Sequence, residues 1–205
     1  MTYDTNDLSR LLSDLTFVLS EEDVKQEILK YYNGGLLLEV GAGTCKIGIG
    51  LSTRTKQSVF LSDIDESALE FGRVLATLTE HMLKGRLNLN FFKDDALRSG
   101  FPDNMFSLVI SEGVFEHFSE SERPKFLAEN YRILKKGGTL IVIIPNYSNE
   151  NTEKHARTPH SYTTSPFEFK LSPVDMMFYL ENLKMANVKS YEVANSLLFT
   201  VGVKT

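Results

Sequence analysis

Hydrophobic residues at helical spacing mark the first 33 positions of the chain. They recur in two groups: Leu8, Leu11, Leu12, Leu15, Val18 and Leu19, then Val24, Ile28 and Leu29. The acidic segment 20–23 between the groups suits a helix start. The pattern predicts two helices in region 1–33, which would cover either one face of a sheet or the ligand site itself.

Short apolar runs alternate with helical segments in the middle of the chain. Strands are expected at five runs: 36–40, 58–62, 86–92, 106–110 and 139–144. Helices are expected at 67–80 and 122–134, and Gly137-Gly138 would cap the second at its C-terminus. Such alternation is typical of an α/β fold with a doubly wound, mostly parallel sheet and right-handed crossovers.

The regular alternation stops after Pro145. Residues 146–171 have no long period and are rich in Asn, Thr, Pro, His and aromatic residues, which indicates a functional loop insertion. Ser172, Pro173 and Asp175 form a capping-box pattern that predicts a further helix. Runs at 189–193 and 197–203 predict a closing antiparallel hairpin. Because no repeat or linker divides the chain, residues 1–205 are predicted to form a single domain.

The segment 36–50 combines a buried strand, a glycine turn and a helix start. Glu39 stands near the end of the strand, and Gly41 and Gly43 follow it. Glycine adopts positive φ and lacks a Cβ, so the backbone can approach a ligand closely. The N-terminus of the next helix favours an anionic group. This arrangement predicts a loop that binds a nucleotide cofactor.

Two common nucleotide-binding fingerprints do not fit this loop. The third glycine of a dinucleotide fingerprint would fall at position 46, where the Lys46 side chain would obstruct a pyrophosphate. The Gly-Lys-Ser/Thr of a P-loop is absent. Asp63, 20 residues beyond Gly43 at the end of the second strand, can accept hydrogen bonds from both ribose hydroxyls. The expected ligand is therefore a nucleoside without a pyrophosphate.

Composition excludes several classes of partner. The chain has 205 residues, 42% of them hydrophobic, and a formal net charge of −5. Without a basic cluster, this charge argues against nucleic-acid binding. No run approaches the roughly 18 apolar residues of a membrane span, so no membrane partner is expected. The chain has a single cysteine, Cys45, which excludes an intrachain disulfide and a cysteine-based zinc site, so no metal is expected. The lack of disulfides fits a cytoplasmic protein. The oligomeric state stays open.

Four motifs occur in an order and spacing that resemble the class I S-adenosylmethionine-dependent methyltransferases. They are Glu39-x-Gly41-x-Gly43, Asp63 ending strand two, Asp95-Ala96 after strand three, and Phe106-x-Leu108-Val109 leading to Glu116-His117-Phe118. The resemblance covers residues 36–145 well. It implies a Rossmann-like, seven-stranded sheet of order 3-2-1-4-5-7-6 with the last-formed strand antiparallel. It also implies S-adenosyl-L-methionine as the cofactor.

The resemblance assigns a role to each residue of the first two motifs. Glu39, Gly41 and Gly43 would line the methionine end of the cofactor. Asp63 would bind the ribose, and Ile64 would pack on the adenine. Within the same loop, Cys45 departs from the family's usual residue, although cysteine is small enough to keep the turn.

The later motifs supply the other cofactor contacts that the resemblance implies. Asp95, in preference to Asp94, would accept a hydrogen bond from the adenine amino group, beside the backbone of Ala96. Ser111 and Glu112, just past strand four, would face the cofactor near its sulfur and methyl group.

The candidate catalytic and substrate-binding residues lie beyond strands four and five. A sulfonium methyl group is already activated, so the protein must mainly hold the acceptor in line with it in a dry pocket. His117 is the candidate general base, with a structural hydrogen-bonding role as the alternative. Tyr147, His160 and Tyr162 would either bind the substrate at the carboxyl edge of the sheet or pack the 146–171 loop.

The sequence at the end of strand four also limits the class of methyl acceptor. Its sequence, Ser111-Glu112-Gly113-Val114, differs from the Asn/Asp-Pro-Pro-aromatic signature of family members that methylate amino groups of bases or glutamine. Together with the negative net charge of the chain, this difference favours a small-molecule acceptor over DNA or RNA. The chain is thus predicted to be a cytoplasmic methyltransferase. A non-catalytic binding or scaffold subunit with the same fold is the alternative, and Lys46 disfavours a nicotinamide oxidoreductase.

Overall fold

A seven-stranded sheet forms the centre of the computed structural model, which describes residues 7–21, 23–147, 169–194 and 196–205. The strands are β1 Leu37–Val40, β2 Val59–Asp63, β3 Leu89–Lys93, β4 Phe106–Glu112, β5 Leu134–Pro145, β6 Ala186–Val193 and β7 Leu197–Val203. Their order is β3-β2-β1-β4-β5-β7-β6, and β7 runs antiparallel to both of its neighbours while the other pairs are parallel. The strand order and the antiparallel last strand are confirmed.

Helices cover both faces of this sheet. They are α1 Leu8–Leu19, α2 Asp23–Leu29, α3 Lys46–Thr55, α4 Glu66–Leu83, α5 Arg123–Ile133 and α6 Pro173–Asn182, with a 3₁₀ helix at Phe115–His117. The capping box predicted for α6 is present, since Ser172 and Asp175 exchange both hydrogen bonds. In the part of the chain that the structure describes, no helix is long and apolar enough to cross a membrane.

Alternate residues of the central strands belong to two separate hydrophobic cores. In β1, Leu37 packs in the core beneath α1 to α4, and Leu38 packs in the core beneath α5 and α6. A strand buried on both faces needs apolar residues at successive positions, which explains the continuous apolar runs in the sequence. Because β1 to β4 are parallel, their carboxyl ends meet at one edge of the sheet.

The expected glycine cap of the helix before β5 is wrong. The helix ends at Ile133, and Leu134 is already extended as the first residue of β5. The Gly137 N–H donates to the Lys204 carbonyl, and the Lys204 N–H donates to the Gly138 carbonyl, at 2.8 and 2.9 Å. This pairing with the chain beyond β7 extends the strand through the glycines, a long-range contact that local sequence does not reveal.

The two N-terminal helices pack mainly on other helices. Helix α1 contacts α3 and α4, and α2 contacts α3 and β6. Leu11 and Val18 of α1 are buried against this layer, while Leu8 and Leu12 remain exposed. The helices therefore extend one face of the fold, and α1 lies beside the helix that follows the glycine loop.

Candidate active site

The glycine loop runs from the end of β1 to the start of α3. Gly41 and Gly43 have φ of 65° and 51°. A Cβ added to Gly41 would lie 2.4 Å from Val114 Cγ2, so only glycine fits against the chain beyond β4. The loop therefore presents bare backbone at the carboxyl edge of the sheet, as the sequence predicts.

Cys45 closes the loop and caps α3 in the left-handed region, with φ of 63°. Its side chain is fully buried, and a Cβ added to Gly72 of α4 would lie 2.6 Å from its Sγ. Burial raises the pKa of the thiol well above its usual value. These contacts explain the cysteine as a small packing residue between the loop and α4.

Glu39 is a buried carboxyl beneath the loop. Its Oε2 accepts the Gly48 N–H at 2.8 Å, and only 3% of the residue is exposed. Burial raises the pKa of Glu39 to about 8, against the Gly48 hydrogen bond, while the negative Glu112 and Asp63 raise it further. Near pH 7 in the ligand-free chain, this carboxyl is therefore mostly protonated.

Asp63 ties the end of β2 to the glycine loop. Its Oδ2 accepts the Gly43 N–H at 2.8 Å, and its Oδ1 accepts the Asp65 N–H at 2.9 Å. Burial raises the pKa of Asp63, and these two hydrogen bonds oppose that rise. A carboxylate oxygen has two lone pairs, so each oxygen can still accept a ligand hydroxyl.

Asp94 and Asp95 differ in how much of their carboxylate remains available. The Asp94 oxygens accept the Ser99 hydroxyl at 2.7 Å and the Gly100 N–H at 2.9 Å. Asp95 is exposed and accepts the Leu97 N–H through Oδ1 at 2.9 Å. The turn therefore engages both oxygens of Asp94 and the Oδ1 of Asp95, and the preference for Asp95 as a ligand contact stays a prediction.

A cavity of about 630 Å³ brings the predicted cofactor residues together at the carboxyl ends of the strands. Eight of the nine line it: Glu39, Gly41, Gly43, Asp63, Ile64, Asp95, Ala96 and Glu112. Its volume falls within the range of sites for small organic ligands. Ser111 does not line it, because that residue lies one position inside β4 and is fully buried.

The candidate catalytic and substrate residues have different positions. His117 lines the cavity from the 3₁₀ helix after β4. Tyr147 is nearly buried, with its ring centre 6.0 Å from Lys170 Nζ, and it is not among the lining residues. His160 and Tyr162 lie outside the described residues, as does most of the 146–171 loop.

Sequence reasoning missed several lining residues, and their charges are informative. Beyond the predicted set, the ionisable residues of the lining are Arg10, Lys46, Asp65, Asp94 and Glu122. The described lining thus carries seven carboxyl groups and two permanently cationic side chains. Arg10 comes from α1, so the helix reaches the cavity, and no local motif in the sequence marks it.

A methyltransferase domain model matches residues 37–138 of the chain. In Neisseria meningitidis serogroup C, a ubiquinone/menaquinone biosynthesis C-methyltransferase is 33% identical over 112 residues, covering 54% of this chain and 42% of that protein. The chain therefore matches less than half the length of this curated relative.

Two solved structures share the fold at low identity. A SAM-dependent methyltransferase from Aquifex aeolicus has a TM-score of 0.68 and 20% identity, with all of both chains covered. A SAM-dependent methyltransferase from Methanosarcina mazei has a TM-score of 0.69 and 20% identity, covering 87% of this chain and 96% of that one. Both confirm the Rossmann-like architecture expected from the sequence.

Proposed function

The chain belongs to the class I S-adenosylmethionine-dependent methyltransferase family, and on this premise we propose that it methylates a small-molecule acceptor by in-line transfer. The observation that carries the proposal is the convergence of the glycine loop, Asp63 and Asp95 on one cavity at the carboxyl ends of β1 to β3. These positions are distant in sequence, and the parallel strands bring them to the edge of the sheet where doubly wound proteins bind their ligands.

The residues around the cavity fit the cofactor of this family. Gly41 lets the loop pack directly against Val114, and both residues line the cavity. Asp63 would hold the ribose, Asp95 the adenine amino group, and Glu39 with Glu112 the cationic methionine end. When bound, S-adenosylmethionine supplies a methyl group activated by its positively charged sulfur.

The protein's own contribution is to position the acceptor and exclude water. His117 stands on the cavity wall after β4, where it can take a proton from an acceptor that must lose one. We expect the pH–rate profile of the wild type to show a limb near neutrality that His117→Asn loses. A limb that persists in this variant would assign His117 a structural role.

The ribose contact provides a test that needs no acceptor. We expect calorimetry to show that S-adenosylhomocysteine binds about ten- to a hundredfold more tightly than its 2′,3′-dideoxy analogue, because a carboxylate bonded to hydroxyls contributes about 1.5–3 kcal/mol. Asp63→Ala should remove this preference. Asp65→Ala is the matched control, since Asp65 also lines the cavity and accepts a backbone N–H.

Two results would contradict different parts of the proposal. If the wild type binds neither S-adenosylmethionine nor S-adenosylhomocysteine at millimolar concentration, methyl transfer is wrong, and the non-catalytic alternative gains support. If Asp63→Ala keeps the preference for the ribose hydroxyls, the cofactor binds without the Asp63 contact.

The matched relatives suggest which methyl acceptor to test first. Because the matched relative is named for C-methylation in ubiquinone and menaquinone biosynthesis, a demethylated quinol is the first acceptor to assay. Release of S-adenosylhomocysteine with the quinol, and a product whose new methyl group is on a ring carbon, would assign this chain to carbon methylation. Release only with phenols or amines would assign it to oxygen or nitrogen methylation.

A further inference from the structure

Arg123, the first residue of α5, is a buried cation outside the lining of the cavity. Only 3% of the residue is exposed, and no carboxylate of the described residues forms an ion pair with it. In the described part of the chain, its Nε and Nη2 have no hydrogen-bond partner, and its Nη1 lies 3.5 Å from the Tyr179 hydroxyl. Burial of a charge is costly when no anion is paired with it, so this environment favours the binding of an anion.

Asp175 of α6 is close enough to sense this charge but does not neutralise it. The bonds from the Ser172 hydroxyl and N–H, and also the charge of Arg123, lower the pKa of Asp175. The Asp175 Oδ2 accepts those two Ser172 bonds, at 2.7 and 2.8 Å. The capping box therefore holds this carboxylate at the start of α6, away from ion-pair distance.

The two donors without partners form one edge of the guanidinium. Nε and Nη2 point the same way from the planar group, and such an edge can bind a carboxylate through two parallel hydrogen bonds. The guanidinium carbon of Arg123 lies 4.7 Å from the ring centre of Phe169 and 5.8 Å from that of Phe115. These rings contact the cation without engaging its donors, so the edge stays available for a planar anion.

The surroundings of Arg123 adjoin both the cavity and the surface. Glu122, which precedes it, and His117, on the neighbouring 3₁₀ helix, line the cavity. The Phe169 ring over the guanidinium is 39% exposed, and rotation of this one ring would open a path from solvent.

We propose that the Nε–Nη2 edge of Arg123 binds the carboxylate of a small organic acid, at a site separate from the cofactor residues. Such an anion would neutralise the charge that the described residues leave unpaired. The inference goes beyond the proposed function, and the carboxylate belongs either to the methyl acceptor or to a separate ligand.

Benzoate and benzamide are nearly isosteric and differ in charge, so together they test recognition of the carboxylate. We expect calorimetry on the full chain, with chloride keeping the ionic strength equal, to show that benzoate binds about ten- to a hundredfold more tightly. Arg123→Met should lose this preference. In the absence of benzoate, this variant should melt at the wild-type temperature or above, because it replaces an unpaired buried charge with an apolar side chain.

Arg73→Met is the control for loss of a cation elsewhere. Arg73 also contacts an aromatic ring, that of Phe91 at 5.3 Å, and it pairs with Glu66 on the outside of α4. This variant should keep the wild-type preference for benzoate. If Arg123→Met does not fold, Arg123→Lys takes its place, because lysine keeps the charge and lacks the edge, and it should weaken benzoate about tenfold.

Three results would contradict the inference: a wild type without preference for benzoate, a folded Arg123→Met that keeps the preference, or an Arg123→Lys that binds benzoate as the wild type does. Loss of the preference in Arg73→Met would also contradict it, since benzoate would then respond to overall charge. If benzoate binds through Arg123 while S-adenosylmethionine and S-adenosylhomocysteine do not bind, the proposed function fails and the inference stands.

Kinetics with an accepted substrate identify the source of the carboxylate. If the acceptor carries it, benzoate should raise the KM for that acceptor in the wild type. If the acid is a separate ligand, benzoate should leave this KM unchanged. Arg123→Met should be insensitive to benzoate in either case, and inhibition that persists in this variant would contradict the inference.

Discussion

Glu39 shows how one buried carboxyl can link ligand binding to proton uptake. It lies beneath the glycine loop, accepts the Gly48 N–H, and has little contact with water. The space beside it is tight, because a Cβ on Gly48 would lie 2.7 Å from its Oε2. A cationic group in the cavity would favour the ionised form of Glu39, so we expect such a ligand to release a proton when it binds.

The raised pKa of Glu39 predicts a pH-dependent difference in stability. The pKa is about 8 in the folded chain against 4.5 as a model value, so the unfolded state loses its proton first as pH rises. The Glu39 contribution is therefore fully present below pH 4.5 and declines until about pH 8. Glu39→Gln keeps an acceptor for Gly48 and avoids this decline. It should be more stable than wild type by about 2–4 kcal/mol at pH 8 and nearly equal at pH 4.5.

Urea unfolding of both proteins across this pH range measures the difference. Glu181→Gln, which removes an exposed carboxyl of α6, controls for the change in net charge. Parallel stability curves for wild type and Glu39→Gln would show that Glu39 is ionised in the folded chain.

At the scale of elements, α4 and the glycine loop meet where Gly72 faces Cys45. Gly72→Ala would place a methyl group 2.6 Å from the cysteine Sγ, and the surrounding core leaves the thiol little room to move. We expect Gly72→Ala to lower the free energy of unfolding by about 1–3 kcal/mol, as overpacking commonly does. Urea unfolding measures this loss.

The double variant separates this contact from other effects of alanine. Cys45→Gly removes the thiol and suits the left-handed backbone, so Gly72→Ala should lose less stability in that background, where a Phe91 ring carbon at 3.3 Å is the remaining close neighbour. Gly85→Ala is the matched control, because its nearest neighbour would be 3.8 Å away. Equal losses in both backgrounds would show that the Cys45 contact does not limit residue 72.

At the scale of the whole molecule, a negatively charged chain carries a cavity whose ionisable lining residues are mostly acidic. Such a field favours cationic ligands. S-adenosylmethionine carries one more positive charge than S-adenosylhomocysteine, so its relative affinity should depend on salt. Raising the salt from about 0.1 M to about 1 M shortens the Debye length from about 10 Å to about 3 Å. We expect the affinity ratio of the two ligands to fall about two- to fivefold.

Calorimetry at the two salt concentrations measures this ratio. Glu122→Gln, at the cavity, should reduce the salt dependence, whereas Glu181→Gln, on the exposed side of α6, should not. A ratio that does not change with salt would mean that the carboxyl groups are neutralised in the cavity.

The local sequence was sufficient to predict much of the fold and most of the residues that were expected to contact the cofactor. A strand buried on both faces requires a run of apolar residues, so β1 could be recognised in the sequence. A left-handed turn that packs against another chain segment requires glycine, so Gly41 could be recognised as well. Asp63 and Asp95 could be placed because parallel strands end at one edge of the sheet. Eight of nine predicted residues line the cavity for this reason.

Contacts between distant segments decided the rest. The pairing of Lys204 with the glycines at 137–138 made β5 longer than its apolar run, and the position of Gly72 explains why a cysteine closes the loop. Helical periodicity identifies the buried side of α1, but which helices receive that side depends on the packed fold. Arg10 therefore became a cavity residue only through the packing of α1 on α3 and α4, and no local pattern could have shown it.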